Sequence, residues 1–157
     1  MANPNPLDYE AIRNTSSTYC IALDTKDFSL LSSVFTSDVD AQYPFAHHTS
    51  CESIAAAIQK RLQHVTSQHA LTTQTINISG YGKTATATTY FTGIHFGQGK
   101  WKGQQVTAWG KYVDSLVLTE GEEKGVPGAS GKWLVSKRVV EFMGRLGEEG
   151  VMKGEDD

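Results

Sequence analysis

From His69 the chain changes its period, and that change limits the folds open to it. Residues 69–78, HALTTQTINI, are rich in Thr and Ile and read as a strand. Residues 80–82 form a turn. Residues 83–96 follow as a long strand, with Ala85, Ala87, Thr89, Phe91, Gly93 and His95 on one face and Thr84, Thr86, Thr88, Tyr90 and Thr92 on the other. A second turn at 97–103 leads into a strand over 106–119, where Val106, Ala108, Gly110, Tyr112, Asp114, Leu116 and Leu118 share a face. Residues 120–131 are rich in Gly and charge and read as a mobile hairpin loop; 132–142 is the last strand. Long strands joined by such turns pair antiparallel. A single bulge between His69 and Ile76 would reverse part of the first strand's alternation.

What precedes His69 is mostly helical. Asp8 is placed to cap a helix over 8–23, whose apolar positions Ile12, Tyr19, Cys20 and Leu23 recur at helical spacing. Asp27 is the better cap for a second, short helix through Phe28, Leu30, Leu31 and Val34. Asp24, at the end of the first helix, is left without a structural task. Residues 39–43 form a short strand with Val39, Ala41 and Tyr43 on one face, and Pro44 ends it. Residues 45–50, FAHHTS, read as a loop. Ser50 caps a helix over 51–65, with Glu52 early and Lys60 and Arg61 late, as the helix dipole favours. Ile54, Ala57, Ile58 and Leu62 are its buried stripe, and His64 is exposed near its end.

Helix, helix, strand, helix and four strands describe an α+β fold. The expectation is a cone-shaped α+β barrel: a curved antiparallel sheet covered by three N-terminal helices that enclose a pocket. It forms a single domain over 8–142. A flexible lead, 1–7, precedes it, and an acidic, Gly-rich tail, 143–157, is expected to be disordered.

Composition narrows the function. The chain has 157 residues, 39% hydrophobic and 20% charged, with a net charge of −3 and no basic stripe. No nucleic-acid or acidic-membrane partner is expected. No apolar run approaches the roughly 20 residues of a membrane span, and the N-terminus lacks a signal-peptide pattern, so the cytoplasm is the expected compartment. Cys20 and Cys51 do not make a disulfide framework. Cys51 begins a helix, but no oriented base accompanies it. The adjacent His47 and His48 diverge and lack a third ligand at metal-site spacing, so neither metal nor cofactor is expected.

Asp24, His69, His95 and Tyr43 are the candidate catalytic set. The reaction itself is what the family resemblance given below implies: loss of water, or a double-bond shift, beside a carbonyl, which needs a base for a carbon-bound proton, an acid for the departing oxygen and donors for the enolate. A histidine oriented by a carboxylate is a tuned base. His69 fits that role with Asp24, while His95 and Tyr43 polarise the substrate oxygen or deliver a proton. Tyr19, Phe91 and Tyr112 are candidates to hold a substrate. Asp114, on the inward face, needs a partner, and Arg138 on the neighbouring strand supplies one. That pair serves either structure or a polar substrate group. Trp109, Val113 and Val117 fall on the outer face and point to a homodimer through the sheet.

The stretches ALDTKDFSLLSSVFTSDVDAQY, SQHALTTQTINISG, TATATTYFTGIHF, GKYVDSLVLT and KWLVSKRVV carry a resemblance. Over 8–142 the chain resembles the SnoaL-like branch of the nuclear-transport-factor-2-like superfamily, most of all its scytalone dehydratase and bile-acid dehydratase group. That resemblance implies a helix-end Asp at Asp24, a strand-start His at His69, the scytalone enzyme's second His at His95 and one of its tyrosines at Tyr43. Tyr19, five residues before Asp24, matches a tyrosine-to-aspartate spacing of the bile-acid enzyme. Leu23 stands where the scytalone enzyme has a tyrosine, and its late-strand Asn falls near Asp114 or Ser115. The implied function is a cofactor-independent dehydratase, isomerase or cyclase acting on a small, hydrophobic, cyclic natural product of polyketide or terpenoid type. The alternative is a non-catalytic ligand-binding or assembly protein of the same fold.

Overall fold

The computed structural model describes residues 3–121 and 125–154. Two α-helices are present, α1 (Pro6–Thr25) and α2 (Cys51–Leu62). Between them lie a 3₁₀ helix (Phe28–Ser33) and the strands β1 (Phe35–Tyr43) and β2 (Ala46–His48). The strands β3 (Val65–Ile78), β4 (Thr84–Gly97), β5 (Gln105–Thr119) and β6 (Lys132–Gly147) follow. Short 3₁₀ turns occupy Gly99–Trp101 and Glu149–Met152.

The start of α1 is set by Asn5, whose side chain accepts from the Leu7 N–H, with Pro6 in the first turn. Asp8 is therefore not the cap. It is buried inside α1 and accepts the Ser130 N–H at 2.8 Å. That bond, with Asn5 Nδ2 donating to the Gly128 carbonyl at 2.9 Å, ties the β5–β6 connection to the helix. Ala129 is buried there, so this part of the loop is anchored rather than mobile, and 122–124 lie outside the described residues. Lys26, at φ 58, closes α1 in the left-handed region, its N–H bonded to the Leu23 carbonyl. Asp27 stands before the 3₁₀ helix but makes no side-chain cap bond to it. Ser50 caps α2 through the Ser53 N–H, and α2 stops at Leu62 because Val65 already pairs with Gly97 in the sheet.

The sheet runs β2-β1-β6-β5-β4-β3 and stays open. The meander β3–β6 is antiparallel, as its periodicity requires, but β1 joins β6 in parallel. The α2–β5 segment acts as the crossover for that pair. The segment read as a loop before α2 contains β2, which pairs Ala46 with Tyr43 across a tight turn.

Register shifts curve the sheet, one of them between Phe35 and Asp40 where β1 pairs with β6, and those in β3 and β6 decide which side chains face inward. In β3 the shift falls between Leu71 and Gln74. Val65, Ser67, His69 and Leu71 point inward before it, and Gln74, Ile76 and Ile78 after it. The bulge thus lies in the interval where the sequence allowed one. In β6 one shift lies opposite Ser115/Leu116 and another opposite Trp109/Gly110. The inward set changes from Trp133 and Val135 to Arg138, Val140 and Phe142, and again to Arg145. The helices pack over this concave face. Ile12, Leu31, Phe35, Ile54, Leu116 and Trp133 are fully buried between the layers, each such apolar side chain contributing roughly 1.5–3 kcal/mol.

The expected disordered tail is corrected. Residues 143–147 complete β6, and Val151 is buried in the last 3₁₀ turn. Trp101 Nε1 donates to the Gly154 carbonyl at 3.0 Å. Apolar burial of Val151 and Trp101 outweighs the acidic character that argued for disorder. Residues 155–157 lie outside the described residues, as do 1–2 of the N-terminal lead. The rest of that lead includes the cap and first turn of α1.

Candidate active site

Asp24 is the penultimate residue of α1, and β3 is an edge strand of the sheet. An edge strand carries unpaired N–H groups, and the Asp24 carboxylate takes one of them. Oδ2 accepts the His69 N–H at 2.7 Å. Oδ1 accepts the Ser67 hydroxyl at 2.8 Å and lies 2.7 Å from His69 Nδ1. Burial pushes the Asp24 carboxyl up, but the bonds from the His69 ring, the His69 N–H and Ser67 outweigh it and hold the pKa below 3.8. Asp24 is therefore an anion at neutral pH. The ring nitrogen facing this anion donates the hydrogen bond, and Nε2 is left on the side away from Asp24. His69 lies mid-strand rather than at a strand start, because β3 begins at Val65.

Nε2 has room because its cross-strand neighbour is Gly93. A Cβ at Gly93 would sit 3.1 Å from His69 Cδ2 and 3.2 Å from Nε2, tighter than ordinary contact. His95, two residues on, meets the His69 ring edge-to-face at 5.6 Å. Its Nδ1 donates to the Val106 carbonyl at 3.3 Å. Burial, then the charge of His69, pulls the His95 pKa from 6.5 to about 4. His95 is thus neutral, with its one proton committed to the backbone, and its free Nε2 accepts rather than donates.

A cavity of ≈ 170 Å³ opens in front of these rings. Leu23, Ile54, Ile58, Leu62, Phe91, Val140 and Phe142 make its walls apolar. Tyr19, Tyr43 and Tyr112 also line it. The Tyr19 and Tyr43 hydroxyls are 3.0 Å apart, and Phe91 stacks on Tyr112 at 4.4 Å. Burial is the leading cause that raises the pKa of all three tyrosines, so they are neutral phenols; Arg138 opposes the rise. The Arg138 guanidinium lies 4.4 Å from the Tyr19 ring and 4.1 Å from the Tyr112 ring. Its Nε and one Nη donate to the two Asp114 oxygens at 2.8 and 2.7 Å.

Against this geometry, a model of the SnoaL-like domain matches residues 6–139. The chain belongs to the SnoaL-like family. Solved structures agree on the fold of this SnoaL-like domain. A putative scytalone dehydratase from Novosphingobium aromaticivorans DSM 12444 is 16% identical, with 92% of this chain and 90% of that one covered at a TM-score of 0.75. The Kfla4162 protein from Kribbella flavida is 16% identical, with 94% and 97% covered at 0.76. A hexachlorocyclohexane dehydrochlorinase, LinA type 2, is 13% identical, with 91% and 90% covered at 0.71. No curated protein matches the chain.

The SnoaL-like cone brings together seven of the nine candidate residues. Asp24 backs His69, and His69, His95, Tyr43, Tyr19, Phe91 and Tyr112 line the cavity. Asp114 and Arg138 do not line it. They form a fully buried ion pair behind the tyrosines, which fits the structural one of the two readings open to them and not direct contact with a substrate in this cavity. Sequence reasoning missed Arg61, Arg145 and His48, all of which line the cavity. Arg61 lies on the cavity side of α2, one position before the buried Leu62. Arg145 was hidden because β6 was ended at Phe142 and because the bulge turns position 145 inward, opposite Ala108. Among the described residues no group of three or more His, Cys, Asp or Glu side chains could hold a metal. Nor is any described helix long and apolar enough to cross a membrane.

Proposed function

We propose that this protein is a cofactor-independent acid/base enzyme, a dehydratase or an isomerase/cyclase, acting on a small cyclic molecule of polyketide or terpenoid type. The observation that carries the reading is the Asp24–His69 pair, with the His69 lone pair directed at an apolar cavity. An imidazole held by a carboxylate is a stronger base than one held by a carbonyl, so the base is His69 rather than His95.

The steps follow from the groups present. His69 Nε2 takes the proton from a carbon beside the substrate carbonyl, and Asp24 stabilises the imidazolium. Tyr43 donates to the carbonyl oxygen as it becomes an enolate, its hydroxyl set by Tyr19. In a dehydration the enolate electrons expel the β-hydroxyl, and the imidazolium returns the same proton to it as water leaves. In an isomerisation the proton goes back to a different carbon. His95 accepts from a substrate hydroxyl and orients it. A positioned proton transfer of this kind contributes ~10²–10⁴-fold in rate.

The test is turnover of hydroxylated cyclic ketones by the wild type, His69→Ala and Asp24→Asn, with binding measured in parallel. The reading expects turnover to vanish while binding survives. Turnover that survives in both variants overturns it. The outer sheet face exposes Tyr90, Phe96, Trp109 and Val113, and we assign it to a homodimer contact in a cytoplasmic protein, a state that sedimentation velocity reads directly.

A further inference from the structure

The cavity's charge is unbalanced. Arg61 reaches it from α2 and Arg145 from the end of β6, and among the described residues that line it there is no Asp or Glu. Arg145 is mostly buried, with its side chain 21% exposed, and is held in a two-point grip by Glu149, Nε to Oε1 at 2.6 Å and Nη2 to Oε2 at 3.0 Å. Among the described residues Arg61 has no such two-point partner. It is exposed as a whole residue, yet partial burial first and the Arg145 charge second pull its pKa down from the usual arginine value, with Glu149 opposing. Both arginines also act on His95 through their charge. Two cations therefore stand beside the histidine rings, and the carboxylate of Glu149 is bonded to Arg145 alone of the two.

We infer that Arg61, supported by Arg145, binds an anionic group of the ligand, and that the substrate is a cyclic or aromatic carboxylate. This rests on the acid/base reading above and adds the substrate's charge to it. The geometry favours a carboxylate over a larger anion. The cavity is small, its walls are otherwise apolar, and a guanidinium fork matches two coplanar oxygens. The ring of such a ligand lies against Phe91, Phe142 and Tyr112, and its carboxylate lies on the Arg61 side. The reacting carbon is then left facing His69.

The experiment is calorimetric binding of benzoic, cyclohexanecarboxylic and 2-naphthoic acids at neutral pH, each against its own amide. The amide keeps the shape and removes the charge. The inference expects at least one acid to bind about tenfold tighter than its amide, the scale of one hydrogen bond to a charged group. Arg61→Gln, an exposed substitution, abolishes that preference. Glu149→Gln releases Arg145 and strengthens it. Asp24→Asn and His69→Ala keep the preference, because neither touches the arginines. If no acid in the panel outbinds its amide, or if the preference survives Arg61→Gln, the inference is overturned and the acid/base reading stands. If Asp24→Asn and His69→Ala turn over substrate normally while the preference persists, the acid/base reading falls and the anion site stands.

Discussion

Two carboxylates in the same cone are each held by a nitrogen partner, His69 for Asp24 and Arg138 for Asp114, and the two pairs differ in their access to the cavity. Asp24–His69 sits at the edge of the sheet with side chains 22% and 7% exposed, and its free nitrogen faces the cavity. Asp114–Arg138 sits between β5 and β6 at 1% and 1%, sealed behind three tyrosines. Both carboxylates accept short, well-aligned bonds. The difference lies in the partner. A guanidinium does not release its proton in a protein, whereas an imidazole can exchange one. The inner pair is shut off from the cavity, and the outer pair has a ring on the cavity wall, which is why the proposed function rests on the outer pair. Burial alone would have ranked Asp114 above Asp24 as the functional acid; partner chemistry and access reverse the order.

The contrast can be broken in graded steps. The largest effect is on rate. His69→Ala and Asp24→Asn are expected to lower kcat by ~10²–10⁴-fold with the fold intact, checked by turnover and circular dichroism. The next concerns stability. Asp114→Ala leaves Arg138 as an uncompensated buried charge and should cost about 3–5 kcal/mol in urea unfolding. The paired change Asp114→Leu with Arg138→Met should recover most of that. An inner pair engaged in proton transfer would instead lose kcat without losing stability.

A smaller change tests the geometry of the outer pair. Gly93→Ala places a methyl 3.1–3.2 Å from the His69 ring, so the imidazole must shift from its position against Asp24. A fall in kcat of about tenfold, with a stability loss of about 1–3 kcal/mol from overpacking, is expected. Unchanged kcat would mean that the ring's position is not rate-determining.

The smallest effect is a pH slope. His95 is pulled down from 6.5 to about 4 in the folded chain. Between those values the unfolded chain binds more protons than the folded one, so stability falls as pH drops through that window. His95→Gln should flatten this part of the stability profile. Asp24 contributes in the same direction lower down: its stabilisation is present above 3.8 and is lost as pH falls through its lowered folded value.

Much of this was legible in the sequence because each feature is local. Alternation marked the inward faces of β4 and β5, and an acid at a helix end without a capping task marked Asp24. His95 was legible by parity within its strand, and His69 only through the resemblance that marked it. What escaped depends on long-range pairing. The parallel β1–β6 contact cannot be read from either strand alone. The bulges in β6 reset which residues face inward, so Arg145 was invisible to a simple alternation. Residues 148–154 are held in place because Trp101, distant in sequence, is there to receive them. Asp8 likewise looked like a cap until Ser130 supplied its partner.

The most direct test of the outer pair needs no substrate. Nitrogen-detected NMR of the His69 ring at neutral pH reports which nitrogen carries the proton. The account predicts a protonated Nδ1 and a bare Nε2 in the wild type, with that tautomer preference lost in Asp24→Asn. A ring protonated at Nε2, or one indifferent to Asp24→Asn, would contradict a base held ready by its aspartate.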